Sequence, residues 1–131
     1  MKNIEDEADV QLLVDSFYSK VLNDPLLQPI FKIALPHWDK HLETMYSFWN
    51  NILFYDGGYY GNPLQTHKEI HQLHALSKPH FDRWLQLFDQ TLDELFTGEK
   101  AALAKQRSFA IATVMQLKIL PPVDAGSEVI Y

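Results

Sequence analysis

The 131-residue sequence contains no cysteine, only five glycines and no long apolar run. The absence of cysteine excludes a disulfide scaffold and a cysteine-ligated iron–sulfur cluster, and it leaves mainly nitrogen and oxygen ligands for any metal. Because crossing a bilayer takes about 20 consecutive apolar residues, we expect no membrane span. The acidic amino terminus, MKNIEDEADV, lacks the positive and then apolar regions of a signal peptide. We therefore expect a soluble, cytoplasmic protein without a membrane partner.

The sequence has fewer basic than acidic residues. The chain has 11 lysines and arginines against 17 aspartates and glutamates, for a net charge of −6. A nucleic-acid partner would require a basic face, so none is expected. The length favours one domain that can bury most of its apolar surface. We expect this domain to span residues 1–120 and the tail, residues 121–131, to be disordered.

Helical periodicity dominates the apolar pattern, and no segment alternates as a strand does. The class predicted is all-α. A short helix is expected from residue 63 to about 73, and residues 25–37 are expected to form a connector that delivers Phe31 into the core. The inward positions of the last helix are expected to include Phe109. The predicted long helices cover residues 5–23, 38–54, 77–96 and 99–120.

Six histidines are the most informative residues present. His67, His71 and His74 follow at i, i+4 and i+7, so a helix would place them on one face. The segment His67-Lys68-Glu69-Ile70-His71 is not the H-E-x-x-H motif of zinc hydrolases, because its glutamate is displaced by one residue, or about 100° on a helix. A structural zinc site would need a fourth ligand, usually cysteine. A haem-free helical protein that binds a metal through this face remains an alternative.

A haem site needs only one of these histidines. Haem iron takes one axial imidazole, and the flat macrocycle needs an apolar slot, with polar groups on its other side to hydrogen-bond a small ligand. The chain has three tryptophans, six tyrosines and eight phenylalanines with which to line such a slot. Tyr18, His41 and Trp84 could supply the polar groups, since buried tyrosine and tryptophan need partners for their O–H and N–H.

Five motifs in register give this sequence a family resemblance. From about residue 8 to 120 the chain resembles a group III truncated haemoglobin, a globin found in bacteria. The motifs are Phe17-Tyr18-x-x-Val21; Pro29-Ile30-Phe31; His41 eight residues before Trp49; Gly61-Asn62-Pro63-Leu64-x-x-His67; and the run from His80 to Phe88 that contains Trp84.

The resemblance implies a globin-like, two-over-two helical sandwich around a pocket for haem b. It implies that His67 is the proximal iron ligand, with His71 as the alternative if an insertion shifts the register. It further implies that Tyr18 and Trp84 donate hydrogen bonds to a ligand on the iron, and that His41 occupies the distal gate. Residues expected to contact or support the haem are Phe31, His41, Met45, Phe48, Phe81, Trp84 and Leu85.

The function implied by the resemblance is binding of O2, NO and CO at a five-coordinate iron. Two strong donors would slow ligand release, which suits oxygen-based redox chemistry or detoxification of NO or peroxide better than transport. NO dioxygenase-like and peroxidase-like activities are both open, and either would need a reductase whose identity is unknown. A haem-based gas sensor or interaction module is the alternative haem function.

Overall fold

The computed structural model describes residues 2–32, 38–54 and 76–120. Across these ranges the regular structure is helical, apart from an isolated parallel bridge between Lys2 and Phe96. The all-α prediction is thus confirmed. The helices are α1 (Glu7–Leu22), α2 (Gln28–Phe31), α3 (Trp38–Phe54), α4 (Lys78–Leu95) and α5 (Glu99–Ile119).

The observed helix bounds agree with the predicted long helices to within two residues at each end. The predicted connector over residues 25–37 differs, because it contains the one-turn helix α2, with Pro29 in its first turn. The predicted short helix over residues 63–73 and the tail lie outside the described residues, so the domain boundary at residue 120 stays a prediction. No helix in the described ranges is long and apolar enough to span a membrane.

Side-chain caps determine where two of the long helices begin. The Asp6 carboxylate accepts a hydrogen bond from the backbone N–H of Asp9 at 3.1 Å, which satisfies a free donor in the first turn of α1. Ser77 precedes α4, and its backbone N–H donates to Nδ1 of His80 at 2.9 Å. Pro79 falls in the first turn of α4, where the missing N–H costs no helical hydrogen bond.

Helix α1 forms the centre of the main core because it packs against both α3 and α4. Its buried stripe recurs at three- and four-residue intervals, as an amphipathic helix requires. A second apolar cluster lies where α2, α4 and α5 meet. The buried stripe of α1 includes Val10, Leu13, Val14, Phe17 and Val21, and the second cluster comprises Ile30, Leu76, Phe81, Ala112 and Met115.

The prediction that Phe109 points inward is wrong, since its side chain is 63% exposed. Helix α5 instead buries a face of mainly small residues: Ala101, Ala104, Ser108, Ala112 and Met115. Small side chains let α5 approach α4 closely, and Phe109, one residue after Ser108, is rotated by about 100° from that face.

Gly98 links α4 to α5 in a conformation that other residues rarely adopt. Its φ is 93° and its ψ is −171°, a region populated almost only by glycine. The turn is held against the amino terminus, because the backbone N–H of Thr97 donates to the carbonyl of Lys2 at 2.9 Å. A Cβ at position 98 would lie 1.9 Å from Oδ1 of Asn3.

We therefore expect Gly98→Ala to lower the free energy of unfolding by about 1–3 kcal/mol from backbone strain. Urea denaturation of the variant and the parent protein measures the difference. Adding Asn3→Ala removes the steric contact and should recover only part of the loss, because the backbone strain persists. Wild-type stability in Gly98→Ala would contradict this account of the turn.

Candidate functional site

An aromatic pocket surrounds Tyr18 where α1, α2 and α3 meet. The Tyr18 ring centroid lies 5.6 Å from that of Phe31, 5.2 Å from that of His41 and 5.4 Å from that of Trp38. These four residues are called the aromatic pocket below. Tyr18 is only 6% exposed, and the ring contacts with Trp38 and His41 are edge-to-face, the arrangement that aromatic quadrupoles favour.

The hydroxyl of Tyr18 is the unusual polar group of this pocket. Burial raises the pKa of Tyr18 well above its ordinary value of 10.0, with no hydrogen bond contributing to the shift. Among the described residues, none donates to or accepts from this hydroxyl. The phenol is therefore protonated at physiological pH and keeps an O–H available as a donor.

Trp84 lies on α4 and connects to Tyr18 through one intervening ring. Phe17 contacts Tyr18 at 4.9 Å and meets the Trp84 indole edge-on at 5.4 Å. Trp84 also lies parallel to Phe88, with the ring centroids 5.5 Å apart. The indole is held by ring contacts inside the protein, which restrict its rotation and therefore the direction of its N–H.

The other predicted haem contacts divide between the two apolar clusters. Phe81 belongs to the second cluster, and Leu85 packs against it. Phe31 and Trp84 contact both clusters, so they lie where the clusters adjoin. The remaining two, Met45 and Phe48 of α3, are half-buried and pack against the main core.

The structure thus brings Tyr18, Phe31 and His41 into one pocket and places Trp84 one ring away. The predicted iron ligands, His67 and the alternative His71, lie outside the described residues, as does the rest of the histidine face. Within the described ranges, no group of three or more metal-ligating side chains comes together.

Trp38 is a pocket residue that the sequence reasoning missed. Its ring centroid lies 5.2 Å from that of His41 and 6.5 Å from that of Phe31. The signal was present, since Trp38 is three residues before His41 and residues at i and i+3 share a helix face. In the predicted helix over residues 38–54, Trp38 serves only as the first residue.

Comparisons with known proteins agree with this arrangement. A family model described as bacterial-like globin matches residues 2–118. The group 3 truncated haemoglobin ctb of Campylobacter jejuni is 31% identical over 114 residues, which cover 84% of this chain and 87% of the relative. A crystal structure of group III truncated haemoglobin from Campylobacter jejuni matches with a TM-score of 0.81 and 29% identity, covering 91% of this chain and 95% of that chain.

The chain therefore belongs to the bacterial-like globin family. Within it, the sequence and structural matches place the chain among the group III truncated haemoglobins, as the five motifs predicted. Membership of this family implies haem-based gas binding. The two-over-two globin-like fold predicted from the motifs is also confirmed.

Burial of Tyr18 predicts a specific dependence of stability on alkaline pH. The unfolded chain ionises its tyrosines near pH 10, whereas the folded protein keeps Tyr18 protonated. Folding then holds a proton that the unfolded state releases, so the free energy of unfolding falls as pH rises above about 10. Tyr18→Phe should make the loss between about pH 8 and pH 11 smaller by about 1 kcal/mol.

Denaturant titrations at the two pH values measure this difference. Tyr46→Phe is the comparison, because burial and a hydrogen bond to Asp15 raise the pKa of Tyr46 to about 12. That variant should also lose stability at neutral pH, where its hydrogen bond is intact in the parent. An equal alkaline loss in Tyr18→Phe and the wild type would show that Tyr18 ionises in the folded protein.

Proposed function

We propose that this protein binds haem b beside the aromatic pocket and holds O2, NO or CO at a five-coordinate iron. The carrying observation is Tyr18, whose side chain is buried among aromatic rings and whose pKa is raised by burial alone. A small ligand that accepts a hydrogen bond from its hydroxyl would be stabilised in the pocket. When bound, haem supplies an iron that takes diatomic gases and exchanges electrons.

The pocket residues fit this group by their chemistry. Aromatic and aliphatic side chains suit the flat, apolar face of a porphyrin, and Tyr18 and His41 bring polar atoms to the aromatic pocket. Phe81 is buried in the second cluster, and Leu85 and Phe31 pack beside it. In this proposal these residues exclude water from the macrocycle, together with Met45 and Phe48 on the α3 side.

Tyr18 and Trp84 would act as hydrogen-bond donors to a small ligand held beside the pocket. Each neutral hydrogen bond contributes about 0.5–1.5 kcal/mol, and a low local dielectric strengthens it. Two donors together would slow ligand release by about one to two orders of magnitude. His41 faces Tyr18 at 5.2 Å between ring centroids and would stand at the entrance on the same side.

Slow release favours chemistry on the held ligand over transport. We infer a role in oxygen-based redox chemistry or in removal of NO or peroxide, supported by electrons from a reductase. The part played by the protein is to orient the ligand and to hold donors at fixed positions, while electron transfer belongs to the cofactor.

His67 is the residue proposed to hold the iron, and His71 is the alternative. The support for His67 is its place in the motif Asn62-Pro63-Leu64-x-x-His67, in which asparagine and proline favour a helix start. A neutral imidazole suits this role.

Adding hemin to the purified protein tests the proposal and the ligand assignment together. The wild type should give a Soret band and, after reduction with dithionite, a five-coordinate ferrous spectrum. His67→Ala should lose that spectrum, because the iron loses its only protein ligand, while His71→Ala should keep it. The reverse pattern would transfer the ligand to His71. A folded wild-type protein that gives no Soret band of bound haem after hemin is added would overturn the proposed function.

Removing a distal donor should speed oxygen dissociation. Tyr18→Phe and Trp84→Phe are each expected to raise the dissociation rate constant by about two- to tenfold, the equivalent of one neutral hydrogen bond. Stopped-flow displacement of O2 by CO measures the rate. Tyr46→Phe is the matched control, since the Tyr46 hydroxyl donates to Asp15. Unchanged rates in the two distal variants would assign both side chains to packing alone.

A further inference from the structure

A buried carboxylate joins two elements that flank the candidate site. Asp24 is only 5% exposed and follows α1 by two residues. Its Oδ2 accepts hydrogen bonds from the backbone N–H groups of Leu26 at 3.2 Å and Leu27 at 3.1 Å. Its Oδ1 accepts from Nε of Arg83 on α4 at 2.7 Å. All three interactions are therefore made by one side chain.

Each end of this connection leads to a predicted haem-contacting residue. Leu27 is the N-cap of α2, which ends at Phe31, and the backbone N–H of Phe31 donates to the carbonyl of Leu27 at 3.1 Å. Arg83 immediately precedes Trp84. The carboxylate consequently ties the turn that carries Phe31 to the part of α4 that carries Trp84. Both rings pack against the second apolar cluster.

The Asp24–Arg83 pair differs in burial from the Lys78–Asp82 pair of α4. The side chain of Asp24 is 3% exposed and that of Arg83 is 36% exposed. By contrast, the Lys78–Asp82 pair is 71% and 53% exposed and connects two residues of the same helix. Exposed pairs contribute little, whereas a buried charge must be compensated by partners in a definite geometry.

The electrostatics show that the carboxylate is ionised in place. Burial alone would raise the pKa of Asp24, but hydrogen bonds from Arg83 and Leu27 and the Arg83 charge hold it below its ordinary value. The pair is therefore intact at physiological pH. It is also directional, since the planar guanidinium and the carboxylate constrain angle as well as distance.

We propose that Asp24 and Arg83 are positioning residues for the distal side of the site. They fix the separation between the Phe31 ring at the end of α2 and the Trp84 indole on α4. This separation determines where the indole N–H points. The inference rests on the proposed function, because its consequence is the quality of the hydrogen bond that Trp84 donates to a bound ligand. Phe17 and Phe88 hold the plane of the indole, whereas the ion pair holds the segment of α4 on which the indole stands.

The test compares variants of the full chain in two states. Asp24→Asn keeps an oxygen that can accept from Leu26 and Leu27 while removing the charge, and Arg83→Met removes the other partner. Arg83→Lys restores the charge. Lys78→Met is the matched control, because it breaks an exposed pair on the same helix. In the haem-free protein the readout is the Trp84 indole N–H resonance in ¹H–¹⁵N spectra, assigned by its loss in Trp84→Phe.

Asp24→Asn and Arg83→Met should both shift the Trp84 indole resonance and speed its exchange with solvent. With haem bound, both should change the C–O stretching frequency of the CO form and raise the O2 dissociation rate by about two- to tenfold. The double variant should resemble the single ones, since the same contact is broken in each. Arg83→Lys should lie closer to the wild type than Arg83→Met, and Lys78→Met should match the wild type.

Two outcomes would overturn the proposal. The first is lower stability in Asp24→Asn and Arg83→Met with wild-type indole resonances, C–O frequencies and off-rates, which would make the pair structural only. The second is an equal spectral change in Lys78→Met, which would remove the specificity for this pair. Failure of the proposed function would be seen separately, because the wild type would not bind hemin. The indole resonance of the haem-free chain would still report whether the Asp24–Arg83 pair sets the position of Trp84.

Discussion

The interior of this protein depends on the packing of Phe17 between helices that are distant in sequence. Its ring meets Trp84 and Phe88 of α4 edge-on, at 5.4 and 5.1 Å, and touches Tyr18 at 4.9 Å. Truncating a buried phenylalanine typically costs about 3–5 kcal/mol because a cavity is left behind. Here the same contact also sets the spacing of Tyr18 and Trp84, the two side chains proposed as distal donors. Core stability and site geometry therefore share one residue.

The adjacent residue, Tyr18, points toward a different set of neighbours. Phe17 and Tyr18 are consecutive in α1, so a rotation of about 100° turns one toward α4 and the other toward Phe31 and His41. A phenylalanine at position 18 could make the same ring contacts but would carry no hydroxyl. The hydroxyl that tyrosine adds is what the proposed role of Tyr18 as a hydrogen-bond donor requires.

Much of the fold could be read from the chain because helical periodicity and caps are local properties. Four long helices, the Ser77 start of α4 and the inward positions of Tyr18 and Phe31 follow from residue spacing. The family motifs added the roles proposed for Trp84 and His41. Phe109 was placed wrongly, since periodicity alone does not reveal that α5 needs small residues at its contact with α4.

The sequence by itself determined the all-α class, the helix bounds and the globin motifs, because these depend on neighbours within about eight residues. Only the tertiary structure decided that Trp38 packs against Tyr18, and that Asp24 pairs with Arg83, 59 residues away. No local pattern marks an ion pair across such a separation. It forms because α1, α2 and α4 bury their apolar faces together. The charged side chains of Asp24 and Arg83 then lie close enough to form an ion pair.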